Sequence, residues 1–122
     1  MVTQLKPRAL VIGNCRGRSG IIQALQGSAF EIIEATEARR SIKHILEDAP
    51  SVVLISADLP GADAISLLRA LRCLTSVPIL VVGCGRETDT HQPLRHGADA
   101  FVPRSRYLEV TSTYVSALLS RN

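Results

Sequence analysis

Five short β-rich runs recur along the chain: Arg8 to Ile12, Phe30 to Glu34, Val52 to Ser56, Pro78 to Val82 and Ala100 to Pro103. Several are apolar almost without interruption, a pattern that suits strands covered on both faces, as in a parallel sheet. Pro78 can stand at a strand's first position, where no ladder donor is needed. Between the runs the apolar residues take helical spacing: Ile21, Ile22, Ala24 and Leu25; Ala38, Ile42, Ile45 and Leu46; Ala64, Ile65, Leu67, Leu68 and Leu71. A last segment, Tyr107 to Leu119, places Leu108, Thr111, Val115 and Leu118 on one stripe. Thr36 marks the start of the second helix, and Asp63, after the turn Leu59-Pro60-Gly61, is an N-cap candidate for the third. In the fourth helical segment Pro93 stands four residues before Gly97, which reads as a C′ cap, so this helix is expected to be very short or kinked. Strand and helix thus alternate five times, which predicts an α/β fold, a parallel sheet wound by helices on both sides.

At 122 residues the chain has room for one domain. Its 14 Lys and Arg against 11 Asp and Glu leave a formal charge of +3, too small a surplus to announce nucleic acid. Aromatic residues make up 3%, leaving few platforms on which bases could stack, so no nucleic-acid partner is expected of this domain. No membrane partner is expected either, because runs such as Val52 to Ile55 and Ile79 to Val82 fall far short of the ~20 residues a bilayer crossing needs. Met1 to Arg8 holds no apolar stretch long enough for a signal peptide, and a cytoplasmic location is expected. Cys15, Cys73 and Cys84 are odd in number and lack CxxC spacing, which suits reduced thiols better than a disulfide framework or a zinc site. His44, His91 and His96 read as surface residues on polar helix faces, so neither a metal nor a cofactor is expected.

In doubly wound sheets ligands sit beyond the carboxyl ends of the strands, which directs attention to Gly13-Asn14, Ser56, Gly83-Cys84 and Arg104. Around these positions the chain resembles the receiver domain of bacterial two-component response regulators. The resemblance covers Arg8 to Leu119 by order and spacing and rests on four local patterns. These are Phe30-Glu31-Ile32-Ile33-Glu34-Ala35, Leu59-Pro60-Gly61-Ala62-Asp63, Val77-Pro78-Ile79, and His96-Gly97-Ala98-Asp99-Ala100-Phe101-Val102, the last being the most specific. It implies a flavodoxin-like (βα)5 fold, a doubly wound five-stranded parallel sheet of order 2-1-3-4-5. It also implies one receiver-like domain over residues 1–122, with its core at about 8–119 and no output domain within it.

The family's chemistry moves a phosphoryl group from a histidine kinase to an aspartate at the end of the third strand. Mg²⁺, a hard cation that wants carboxylate oxygens, is held by that aspartate and two acids after the first strand. A hydroxyl residue ending the fourth strand and a lysine after the fifth complete the set. At the matched positions this chain carries Gly13 and Asn14 for the acids, Ser56 for the aspartate (four residues before Pro60), Gly83 for the hydroxyl residue and Arg104 for the lysine. Ser105 follows where a proline is usual. All five positions depart from the pattern. An acyl phosphate cannot form on Ser56, and a phosphoserine ester would need a general base and a positioned metal. Asp58 is the one nearby carboxylate, and it reads as a turn residue or a partner of Arg104. Using Asp58 as the acceptor would require a two-residue deletion before Pro60. Phe101 matches the family's aromatic switch position; with Gly83 opposite, it is expected to be a partly buried side chain packed against the last helix.

Two other readings of the crevice compete. The segment Gly13-Asn14-Cys15-Arg16-Gly17-Arg18-Ser19-Gly20 lies between a strand and a helix, where backbone N–H groups can cradle phosphate, and Glu34 falls 21 residues after Gly13. Its spacing is GxxxGxxG, however, and no Gly-Lys-Ser/Thr closes it, which argues against a dinucleotide or P-loop site. In a milder version Arg16, Arg18, Arg86 and Arg104 line a crevice for a small anion or nucleotide signal. Cys15 and Cys84, after the first and fourth strands, read as spectator thiols rather than a redox pair.

The expected function is that of a pseudo-receiver: an atypical receiver domain in signal transduction that is not an enzyme and acts through protein–protein interaction. One version is a homodimer through the face of the fourth helix, fifth strand and fifth helix, where relatives dimerise, although the short segment around Pro93 alters that face. The alternative is the arginine-lined anion or nucleotide sensor. A conventional phosphorelay receiver comes third.

Overall fold

The fold follows from where the apolar runs can be buried. In a computed structural model, which describes residues 7–13, 15–25, 30–56, 63–83 and 92–102, strands and helices alternate along the chain. They are β1 (Arg8–Ile12), α1 (Cys15–Leu25), β2 (Glu31–Ala35), α2 (Ala38–Asp48), β3 (Val52–Ser56), α3 (Asp63–Leu74), β4 (Ile79–Val82), α4 (Gln92–Arg95) and β5 (Ala100–Val102). The strands form one parallel sheet of order β2-β1-β3-β4-β5, the flavodoxin-like order expected.

The central strands β3 and β4 are buried at every residue and β1 at all but Arg8, whereas β2, on the sheet's edge, exposes Glu31 and Glu34. Charged residues on an edge strand discourage pairing with another chain. Strand alternation splits the core in two. Leu10, Ile12, Val53, Ile55, Ile79 and Val81 pack on one side with Ile45 of α2 and Leu67, Leu68 and Leu71 of α3. Ala9, Val11, Val52, Leu54, Leu80 and Val82 pack on the other with Ile21 and Leu25 of α1. Each fully buried aliphatic side chain contributes about 1.5–3 kcal/mol relative to exposure, so these two layers dominate the stability.

Several boundaries differ from expectation for local reasons. β2 is displaced by one residue, starting after half-buried Phe30 and ending on buried Ala35. Pro78 stands just before β4: it has no N–H to donate, yet its carbonyl accepts a bond from Val53 N at 2.9 Å. The N-cap of α2 is Glu37, not Thr36, and its side chain makes no cap hydrogen bond. Asp63 is the first residue of α3 rather than the one before it. α2 ends at Ala49, which takes the left-handed conformation (φ 47°, ψ 61°) to turn the chain toward β3. The described part of α4 is four residues long with Pro93 second, the position a proline tolerates. The expected last helix, Tyr107 to Leu119, lies outside the described residues.

Candidate functional site

The parallel register places the carboxyl ends of β1, β3 and β4 side by side. Ile12 is level with Ile55, and Ser56 with Val82. Gly13 and Gly83 follow directly after their strands, each held by a backbone bond across the sheet: Gly13 N donates to Ala35 O at 3.1 Å, and Gly83 N to Val102 O at 2.8 Å. Ser56 ends the central strand and is only 4% exposed. By alternation it belongs to the sheet face of Val52 and Leu54. Of the five matched positions the structure therefore brings Gly13, Ser56 and Gly83 together, two without a side chain and one with a short hydroxyl. Among the described residues no group of three or more His, Cys, Asp or Glu gathers to hold a metal ion. Asn14, Asp58, Cys84, Arg86 and Arg104 lie outside the described residues.

The glycine-rich segment needs a correction. α1 begins at Cys15, so Gly17 and Gly20 are helical residues and not part of a phosphate-cradling loop. A mid-helix glycine costs about 0.8–1 kcal/mol relative to alanine. The backbone places Arg16 and Arg18 in the first turn of α1, next to the carboxyl end of β1; their side chains and that of Cys15 are outside the description.

Phe101 is half-buried and projects to the opposite face of β5 from Ala100 and Val102. It packs against the cluster containing Ile79, Val81 and Ala98. The expected contact with the last helix falls outside the described residues. His44 has a partner four residues on: its Nδ1 lies 2.6 Å from Asp48 Oδ2. His96 is half-buried in the turn after α4, and His91 lies outside the description. Cys73 is exposed and free.

Sequence reasoning missed Arg72, on the last turn of α3. Its guanidinium gathers the amino ends of β4 and β5: Nη1 donates to Gly97 O at 2.8 Å and to Asp99 Oδ2 at 3.0 Å, while Nη2 donates to Thr75 O at 3.2 Å and to Val77 O. Asp99 closes the knot. Its Oδ2 accepts from Ile79 N at 2.8 Å, and its own backbone N donates to Ile79 O at 2.8 Å. Gly97 has φ +116°, and a Cβ built there would come within 2.9 Å of Arg72 Cδ. The Gly97-Ala98-Asp99 pattern therefore has a physical content. Glycine supplies a positive φ and room for the arginine stem, alanine fills a buried position, and aspartate bridges α3 to β4. The signal was available in the sequence as a basic residue in the last turn of α3 and an acid just before β5, but the two stand 27 residues apart.

Comparison with known proteins finds no matching family model. The virulence transcriptional regulatory protein PhoP of Salmonella typhimurium is 31% identical over 119 residues, which cover 94% of this chain and 53% of that protein. The transcriptional regulatory protein PhoP of Escherichia coli (strain K12) is 29% identical over the same length. The chain thus spans about half the length of these relatives. Among solved structures, the receiver domain of the Francisella response regulator 1452 superposes with a TM-score of 0.81 at 20% identity, covering 94% of this chain and 98% of that one. The BeF3-activated N-terminal receiver domain of Klebsiella pneumoniae RstA superposes with a TM-score of 0.79 at 21% identity, covering 92% and 97%. No helix of the described residues is long and apolar enough to cross a membrane. The sheet order and the match along nearly the whole chain agree: the chain has the fold of response-regulator receiver domains and is similar, over 94% of its length, to the PhoP transcriptional regulatory proteins.

Proposed function

We propose that this receiver domain signals without accepting a phosphoryl group and works as a protein-interaction module. The observation that carries the reading is the carboxyl edge of the sheet, where buried Ser56 stands between Gly13 and the end of β4. A carboxylate attacks phosphorus to give an acyl phosphate, with Mg²⁺ neutralising the developing charge; a buried hydroxyl flanked by glycines offers neither the nucleophile nor the oxygen ligands. Asn14 and Arg104 extend the same reading to the second acid and the lysine. The domain is then no enzyme, and its partners are proteins met in the cytoplasm. One of these is a second copy, through the face of α4, β5 and the segment that follows. Exposed Leu94, beside exposed Arg95, supports an apolar contact there. Because the relatives it matches are transcriptional regulatory proteins about twice its length, this half would set the assembly state of a longer regulator.

The test is incubation with acetyl phosphate and Mg²⁺, read by intact mass. The expected result is no added phosphoryl group; a hydroxylamine-sensitive adduct overturns the reading. Sedimentation at high concentration checks the self-association version, which a monomer would defeat.

A further inference from the structure

The outer stripe of α2 is built against the rules of helix stability. Its first turn contains no acid and its last turn no base; instead Arg39 and Arg40 sit at the amino end and Glu47 and Asp48 at the carboxyl end. Both ends therefore oppose the helix dipole, and the arginines also stand three and four residues before Lys43, a like-charge spacing that destabilises an isolated helix. Glu37 at the N-cap places one carboxylate there but makes no side-chain cap bond, so it offsets the two arginines only in part. Arg39 and Arg40 are exposed and form no ion pair with another described residue, whereas Lys43 reaches Glu47 at 4.0 Å. On the same stripe, seven residues after Arg39, Leu46 leaves 67% of its surface in water, the most exposed large apolar residue described.

The core does not require any of these choices. Ser41 and Ile45 are buried on the inner face of α2, and Ile42 packs beside them, while 39, 40, 43 and 46 point away. A cluster that lowers local stability without serving packing is a mark of a surface kept for a partner. We infer that the Arg39–Arg40–Lys43–Leu46 stripe docks an acidic segment of a partner protein. Its carboxylates would meet the arginines at the helix's positive end, and one aliphatic side chain would cover Leu46. Charge complementarity selects this occupant: a cationic end reinforced by the dipole attracts anions, and the exposed leucine adds an apolar anchor that a bare phosphate backbone would leave uncovered. The inference rests on the protein-interaction reading above, but it concerns α2, on the opposite side of the sheet order from β5.

Two measurements test it on the whole chain. The double charge reversal Arg39→Glu with Arg40→Glu should raise the melting temperature by roughly 4 °C, because it places acids in the first turn and a favourable Glu-to-Lys43 spacing on the surface. Unchanged or lowered melting would assign the arginines a structural role and overturn the inference. The second measurement is fluorescence anisotropy with a labelled amphipathic peptide bearing Glu on one face and Leu on the other. It should bind the wild-type chain, weaken with added salt, and lose at least about 10-fold in affinity to the double reversal. Leu46→Ala should cost a smaller factor, and Arg69→Glu on the exposed part of α3 little. Binding that ignores the reversal, or preference for duplex DNA or anionic vesicles over the peptide, overturns it. Phosphorylation by acetyl phosphate would end the proposed function while leaving both α2 measurements readable.

Discussion

Among the described residues, the two ends of the sheet divide the polar chemistry unequally. At the carboxyl ends of β1, β3 and β4, where a doubly wound fold offers its ligand crevice, the described residues are Gly13, Ser56 and Gly83, two of them without a side chain and one with a buried hydroxyl. At the amino end of β4 and β5, Arg72 makes four hydrogen bonds, one of them to Asp99, around a glycine it nearly touches. The first end is where relatives of the fold do their chemistry; the second only holds elements together. Among the described residues, the side-chain hydrogen bonds that Arg72 and Asp99 make gather at the end of the sheet away from Ser56.

Substitutions can break or sharpen this contrast, and the largest effect is expected at the latch. Arg72→Ala removes the donor shared by three carbonyls and leaves Asp99 with backbone partners alone, so it should lower unfolding free energy by about 3 kcal/mol in urea titrations. A loss under about 1 kcal/mol would mean that water replaces the guanidinium freely. Next comes Gly97→Ala, which forces a side chain into φ +116° and onto the arginine stem; it should cost about 2 kcal/mol. In the double variant the steric part of that cost should disappear, so the two losses should fall short of additive.

At the other end effects should be small. Ser56→Ala should change stability by no more than about 1 kcal/mol, the range of one hydroxyl's hydrogen bond. Added Mg²⁺ should leave the melting temperature of both proteins where it was; stabilisation would reveal a cation site and weaken the contrast. Calorimetry with phosphates and nucleotides should likewise show no heat above buffer, and a saturable signal would favour the arginine-lined sensor. One small effect is a gain. Ala49→Gly relieves a left-handed alanine at the end of α2 and should add about 0.5–1 kcal/mol.

Much of the architecture could be read from the chain. The continuous apolar runs of β1, β3 and β4 can only be buried on both faces, and those strands appear where expected, with Pro78 left just outside. The edge strand β2 was displaced by one residue because its burial is one-sided and its pattern correspondingly weak. Helix starts were less legible: α1 absorbs Gly17 and Gly20, residues that local propensity assigns to a loop, because Ile21 and Leu25 must reach the sheet. Strand-end counting put Gly13, Ser56 and Gly83 at the carboxyl ends of their strands, and the register sets those ends side by side.

What the amino-acid order settled by itself is the part governed by short-range periodicity: which segments are strands or helices, which faces are apolar, and which residue types stand at each strand's end. Pairings across the chain were decided only in three dimensions. Arg72 finds Gly97 and Asp99 at separations of 25 and 27 residues, and the choice of Ala49 over a glycine for a left-handed turn is visible only once α2 and β3 are packed. The reason is physical. Periodicity reflects burial against a whole layer and repeats along the sequence, whereas a hydrogen bond between distant elements depends on one angle and one distance that no local pattern encodes.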